Sequence, residues 1–417
     1  MPVRLTNRPF EGGFLWQPAS VIHAEHSKNS CGKGRHKAAV SLRFSAMHAA
    51  LHQIHARVSD AVAHQTALRI CGGGSKDFHA LQLQGEILDT RSLSGIVSYE
   101  PSELVVTVRA GTPLVELEAV LAEQGQCLAF EPPHFATRDG DVATVGGMVA
   151  AGWNGPSRAS VGAVRDFVLG IEIINGKAEL LRFGGTVMKN VAGYDVSRLM
   201  AGSWGTLGLI TEVSLKVLPV VPGEATLRFE DMSQADALQR LNQWGGQPLP
   251  LNASCWVPGA GVGTLYVRLR GAVAAVEAAC QKMGGTLVEQ GQAAMDWVAC
   301  REQTLPWFTA RAAGDCLWRL SLPQTAPQLS LAADALVEWH GAQRWVYAPR
   351  SKGEALQAAA QAVGGSASLF RAESPDAITA QALFDPQLAA MQRVHLQLKQ
   401  AFDPAGIFNP GRTCALF

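Results

Sequence analysis

Glycine constrains this chain most strongly between residues 144 and 208. The stretch TVGGMVAAGWNGPSRASVGAVRDFVLGIEIINGKAELLRFGGTVMKNVAGYDVSRLMAGSWGTLG gathers its small residues into clusters separated by two strand-like runs. A Cβ at Gly146, Gly147, Gly152 or Gly162 would hold a ligand about one side-chain layer further from the backbone amides. The clusters therefore fit either a wall lying against a large ligand or tight packing and turns. Between them, DFVLGIEIINGKAELLRFG reads as two apolar-rich strands joined by Asn175-Gly176, a dipeptide suited to a two-residue type I′ turn. Neither G-x-x-x-x-G-K-[ST] nor a strand-to-helix G-x-G-x-x-G occurs, so the common phosphate fingerprints do not account for these glycines.

A second glycine cluster lies upstream. From Met47, MHAALHQIHARVSDAVAH carries Leu51, Ile54, Val58 and Val62 near helical spacing and leads into a short strand, ALRI, that stops at CGGGS. Successive unhindered amides in such a loop form an anion-binding concavity, a suitable cradle for pyrophosphate. EILD, GIVSY and LVVTVRAG follow as strands, and Thr112 is expected to cap a helix that has Pro113 at its first position and Gly125 as its stop. This order of elements predicts an α+β domain.

The remaining composition sets limits. With 417 residues, 47% of them hydrophobic, the chain buries a sizeable core and should divide into two or more domains. Thirty-five basic residues balance 35 acidic ones, which gives no electrostatic case for nucleic acid. No uninterrupted apolar run is long enough to span a bilayer. Eight scattered cysteines include no C-x-x-C pair, so neither zinc nor a Cys-ligated iron-sulfur cluster has its usual spacing. They read as reduced thiols of a cytoplasmic protein. Residues 1–46 are polar, basic and aperiodic, and are expected to be a disordered or mis-annotated extension ahead of Met47.

Taken together, RICGGGSKDF, GTPLVELEAVLAEQG, EPPH, TVGGMVAAG and KNVAGYDVSRLMAGSWGTLGLITEVSLKVLP resemble the FAD-binding domain of the vanillyl-alcohol oxidase/PCMH flavoprotein superfamily, in particular the FAD-binding subunits of multi-subunit glycolate oxidases. The likeness covers 47–220, and FDPAGIFNPGR resembles the superfamily's C-terminal signature. It implies a PCMH-type two-subdomain FAD domain at 47–220, an α+β cap at 221–395 and a tail at 396–417 that returns to the FAD domain. Carried over by position, Gly72, Gly73, Gly74 and Ser75 form the pyrophosphate loop and Pro132 and Pro133 pass near the flavin. Thr144, Val145, Gly146, Gly147 and Gly152 make the second phosphate and adenine-side contact, with Ser157, Gly162 and Ile210 as further candidates. Members that attach flavin covalently carry a His in the first loop, where this chain has Ser75 and Lys76, so FAD is expected to be non-covalent. His79 reads as an exposed helix residue.

Two strands of the cap, CLWRLSLP and AQRWVYAP, each set an Arg beside a Trp. Alternation places Trp318 and Arg319 on opposite faces, and likewise Arg344 and Trp345. Either Arg would clamp a 2-hydroxy-acid carboxylate if aimed at the flavin; otherwise both lie on a solvated face. The H-x-G-D-G-N-x-H motif with which related catalytic subunits hold a divalent metal is missing, and His340 and His395 are isolated. No metal site is therefore expected. The resemblance implies a non-covalent FAD subunit beside a metal-bearing catalytic flavin subunit and an iron-sulfur subunit, in a complex peripheral at the inner face of the membrane. A self-sufficient hydroxy-acid oxidase and a non-catalytic scaffold are the alternatives.

Overall fold

The structure is a computed structural model that describes residues 33–79, 84–135, 141–185, 195–310, 312–331, 334–372 and 389–412, with side chains from residue 49 onward. The first 32 residues and the KNVAGY segment at 189–194 lie outside the described residues. Helix α1 (Lys33–His64) begins upstream of Met47, and residues 47–417 form one compact unit. Ile54, Val58 and Ala61 recur on one face of α1 and are buried with Leu68, Leu88 and Phe408, so the helical spacing read from sequence is a packing face.

Strands β1 (Leu68–Cys71) and β2 (Glu86–Asp89) pair in parallel. The next elements are β3 (Ile96–Glu100), β4 (Val105–Arg109), α2 (Leu114–Glu123) and β5 (Gln126–Cys127). Pro113 occupies the N-cap of α2, because the hydroxyl of Thr112 instead accepts from the Gly95 amide at 2.9 Å. Beyond them come α3 (Val145–Ala151), α4 (Arg158–Val161), α5 (Val164–Phe167), β6 (Val168–Ile174), β7 (Leu180–Gly184), α6 (Val196–Met200), β8 (Leu209–Lys216) and β9 (Leu218–Pro219). Five strands form one antiparallel sheet in the order β3-β4-β8-β6-β7, covered by the apolar faces of α2 and α3.

The β6–β7 hairpin forms, but its turn is not the two-residue one expected. Ile174 pairs with Leu180, which leaves a five-residue connection in which the Asn175 side-chain oxygen accepts from the amides of Lys177 and Glu179, both at 2.9 Å. Gly176 is needed there for close approach: a Cβ would lie 2.2 Å from Asp403 Oδ1, and its amide donates to Phe402 O at 2.8 Å.

The cap runs through β10 (Gly223–Met232), α7 (Gln234–Gly245), β11 (Leu251–Val257), β12 (Gly263–Gly271), α8 (Val273–Met283), β13 (Thr286–Leu287), α9 (Gln290–Glu302), α10 (Pro306–Thr309), β14 (Asp315–Ser321), β15 (Leu336–Glu338), β16 (Gln343–Pro349), α11 (Gly353–Gln361) and β17 (Ser366–Arg371). Its eight strands form one sheet in the order β13-β10-β12-β11-β15-β16-β14-β17. Ser233 caps α7 by accepting from the Asp236 amide. Helix α12 (Ala389–Phe402) then leads the chain back to β1, where Phe408 bridges Leu68. No described helix is long and apolar enough to cross a membrane.

Candidate functional site

Strand β1 ends in the loop at 72–76, whose five successive amides donate to no other described group. They border a cleft of about 700 Å³, walled further by Thr144, Gly146, Gly147, Trp204, Ile210 and Arg412. Loop, α3 and the start of β8 thus converge as the glycine pattern expected. Cationic side chains accompany the amides. Lys76 is buried, its Nζ donating to Ser75 Oγ at 3.2 Å and to His134 O at 3.3 Å, and burial pushes its pKa down to about 8. Arg412 is buried beside it, donating to Asp77 Oδ1 at 3.2 Å and lying 5.1 Å from the Trp204 ring centroid. Unengaged amides with two buried cations are the donor set a pyrophosphate requires.

The second glycine cluster contributes differently from the expectation. The amides of Val145 and Gly146 already donate to Thr112 O and Ala110 O at 2.9 and 2.7 Å, and that of Gly147 to its cap, Thr144 Oγ1, at 3.2 Å. Gly146 and Gly147 therefore wall the cleft, beside Thr144, without presenting unengaged amides to it. Packing is also what demands glycine at two positions. A Cβ on Gly73 would lie 1.7 Å from Val142 O, and one on Gly146 would lie 2.7 Å from the Ala110 Cβ. Val145 belongs to the core beneath the sheet. Ser157 is fully buried, donating to Ala129 O at 2.6 Å, and Gly162 closes α4 with φ of 101°. Neither lines the cleft, nor does Pro132.

Two further voids lie where the FAD-domain segment meets the cap. One, of about 370 Å³, is bordered by Pro133, Trp153, Cys300, Arg319, Glu338 and Trp345. Buried Glu338, which the sequence reading missed, accepts from Cys300 Sγ, Gln343 Nε2 and Trp345 Nε1; burial raises its pKa although these donors oppose the shift. The other, of about 800 Å³, meets Gly152, His79 and Arg319. His79 is buried rather than exposed, with Nδ1 3.0 Å from Phe370 O and a pKa pushed down to about 4 by burial. Phe370 lies 291 positions away in sequence, so no local pattern announces this contact.

The alternation argument holds for both Arg-Trp pairs, and it separates the two arginines. Arg319 faces Trp345 across the β14–β16 ladder and shares its side of the sheet. Arg344 points to the other side, where Gly341, Ala326 and Pro327 carbonyls receive its three nitrogens at 3.4, 2.7 and 2.6 Å. Arg344 is thus a buried clip for the 326–327 segment, not a residue of a solvated face or a carboxylate clamp. His340 is engaged with serines, Nδ1 at 3.0 Å from Ser254 Oγ and Nε2 at 3.1 Å from Ser160 Oγ. Among the described residues no group of His, Cys, Asp or Glu is placed to hold a metal ion.

Residues 49–184 match the family described as FAD binding domain. Over 359 residues, 86% of this chain and 96% of the other, the sequence is 45% identical to glycolate oxidase subunit GlcE of Escherichia coli (strain K12). The chain belongs to the GlcE family. Its cofactor is FAD, and its family is one of FAD-linked oxidoreductases. An uncharacterized FAD-linked oxidoreductase of Mycobacterium tuberculosis (strain ATCC 25618 / H37Rv) is 26% identical over 78% of this chain and 80% of its own. Glycolate oxidase subunit GlcD of Bacillus subtilis is 31% identical over 34% of this chain and 29% of its own. The fold is also that of an alkyldihydroxyacetonephosphate synthase structure, with a TM-score of 0.59 at 15% identity, covering 86% of this chain and 75% of that one.

Proposed function

We propose that this GlcE-family chain is the non-covalent FAD subunit of a multi-subunit glycolate oxidase, with the pyrophosphate held at 72–76 and by Lys76 and Arg412. The span of the likeness to GlcE carries the reading, because 96% of that protein is matched, cap included, whereas the likeness to GlcD is confined to about a third of this chain. Bound FAD supplies the hydride acceptor for oxidation of an alcohol carbon. The chain's own residues supply the cradle, the aromatic enclosure of Trp153, Trp204 and Phe370, and exclusion of water at the cap. Its partners are a GlcD-type catalytic flavin subunit with its metal and an iron-sulfur subunit that carries electrons onward, in an assembly on the cytoplasmic side of the membrane.

The decisive experiment co-expresses the chain with a GlcD-type and an iron-sulfur subunit and follows glycolate-dependent bleaching of flavin. Stoichiometric acid-released FAD, co-purification of all three and bleaching only in the complex are expected. Bleaching of the isolated chain by glycolate would favour a self-sufficient oxidase, and a chain without flavin would favour a scaffold.

A further inference from the structure

A single cap side chain leads to the lysine of the pyrophosphate cleft. Glu302 ends α9, whose inner face at Ala293, Trp297 and Cys300 is buried in the aromatic core. From there its carboxylate reaches the 131–135 segment, where Oε2 accepts from the His134 amide at 3.1 Å and the Phe135 amide at 2.7 Å. Phe135 is held at φ of 52°, left-handed backbone that a bulky aromatic residue keeps only where its surroundings impose it. His134 is fixed a second time, its Nε2 lying 2.9 Å from Glu118 Oε2 on α2. The His134 carbonyl in turn accepts from Lys76 Nζ at 3.3 Å. An unbroken path thus runs from the cap helix to the ammonium that borders the cleft.

The charges around Lys76 single out the same residue. Arg412 donates to the Lys76 carbonyl at 3.4 Å, but its own counter-charge is Asp77, which also pairs with Arg69. The His134 ring faces Glu118, and Ser75 brings no charge. Arg301 takes Glu302 Oε1 at 2.7 Å and leaves Oε2 to the two amides. Among these charges it is Glu302 whose attraction favours the Lys76 ammonium against burial. We propose that Glu302 is a positioning residue: from the cap it places the Lys76 ammonium through His134 and supplies its counter-charge. Its consequence for FAD rests on the reading of Lys76 as a pyrophosphate ligand. Where that reading holds, any displacement of α9 changes FAD affinity, and bound FAD strengthens the hold of the cap on 131–135 by the same amount.

Two measurements on the full chain separate the proposal from that reading. In the FAD-free protein, melting temperature is followed against pH for the wild type, Glu302→Gln and Glu302→Asp, each relative to the same chain carrying Lys76→Met. The gain in stability that begins near pH 8 in the wild type should begin about one pH unit lower in Glu302→Gln, the low end of what a neighbouring opposite charge does, and should stay near pH 8 in Glu302→Asp. FAD is then titrated by fluorescence at several pH values. A one-unit displacement makes Glu302→Gln bind FAD about tenfold more weakly above pH 8, with the difference closing toward pH 6. The same substitution in the Lys76→Met background should change nothing. A residue that serves only the fold would weaken binding at every pH and in both backgrounds. An onset that stays near pH 8 in Glu302→Gln, or an equal loss of affinity with and without Lys76, overturns the proposal. A displaced onset together with FAD binding indifferent to Lys76→Met would support the proposal and overturn Lys76 as a pyrophosphate ligand.

Discussion

Lys76 is where charge and burial oppose each other most directly. Its ammonium is enclosed beside the unengaged amides of the loop, and desolvation lowers its pKa from 10.5 to about 8. Because the unfolded chain then binds more protons between pH 8 and 10.5, this residue makes the FAD-free protein more stable as pH rises through that window. Pyrophosphate favours the charged form, so FAD affinity should weaken as pH rises above about 8. Lys76→Met is expected to bind FAD at least about tenfold more weakly at pH 7, the scale of a hydrogen bond to a charged group, and to lose that pH dependence; fluorescence titration at several pH values checks both. Gly73→Ala is a different kind of change. Its Cβ meets Val142 O at 1.7 Å, so it should lower the melting temperature even without FAD. The loop itself was legible because four small residues after a strand have few other uses. Lys76 was not, since a lysine beside a glycine turn is ordinarily solvated and only contacts from His134 and Glu302 reveal its burial.

At the level of elements, the return of the tail buttresses the cleft. Lys399 on α12 donates to Asp403 Oδ2, Thr206 O and Phe408 O at 2.8, 2.8 and 3.0 Å, while Asp403 accepts from the amides of Ile407 and Phe408. Asn409 then joins two walls, accepting from the Ile70 amide and donating to Trp204 O, both at 2.7 Å. Asp403→Ala removes the carboxylate that pairs with the buried Lys399 ammonium and accepts the Ile407 and Phe408 amides, and should destabilise the protein by about 3–5 kcal/mol, read from denaturant melts with and without FAD. The FDPAGIFNPGR signature was visible in the sequence, whereas Arg412 as a wall of the cleft was not: its partner Asp77 is 335 positions away. The same tail explains the misread turn. Asn175-Gly176 has the composition of a two-residue turn, but Gly176 is placed by its contact with Phe402 and Asp403, which local pattern does not contain.

Across the whole molecule, the segment at 131–135 is gripped by the cap from both ends. Glu302 on α9 accepts from the amides of His134 and Phe135 at 3.1 and 2.7 Å. Glu131 accepts from Arg268 and Arg270 of β12 at 2.6 and 2.7 Å and from the Ser157 amide at 3.1 Å. The family resemblance divided the sequence into FAD domain and cap, yet this joint was illegible, because EPPH gives no sign that its Glu faces two arginines from a strand more than 130 positions away. Burial alone would raise the Glu131 pKa, but Arg268 and Arg270 outweigh it and hold the group below the ordinary 4.5. The joint's contribution is therefore present above pH 4.5 and is lost as pH falls through the lower folded-state value. Glu131→Gln keeps the shape and removes the charge that pairs directly with Arg268, which is only 2% exposed. It should cost about 3–5 kcal/mol near neutrality, and the difference from the wild type should shrink as pH drops below 4.5, where the wild-type carboxylate protonates too. Calorimetric melts across that range check the sign. A difference that stayed constant with pH would mean that the two domains are joined by packing and not by this charge.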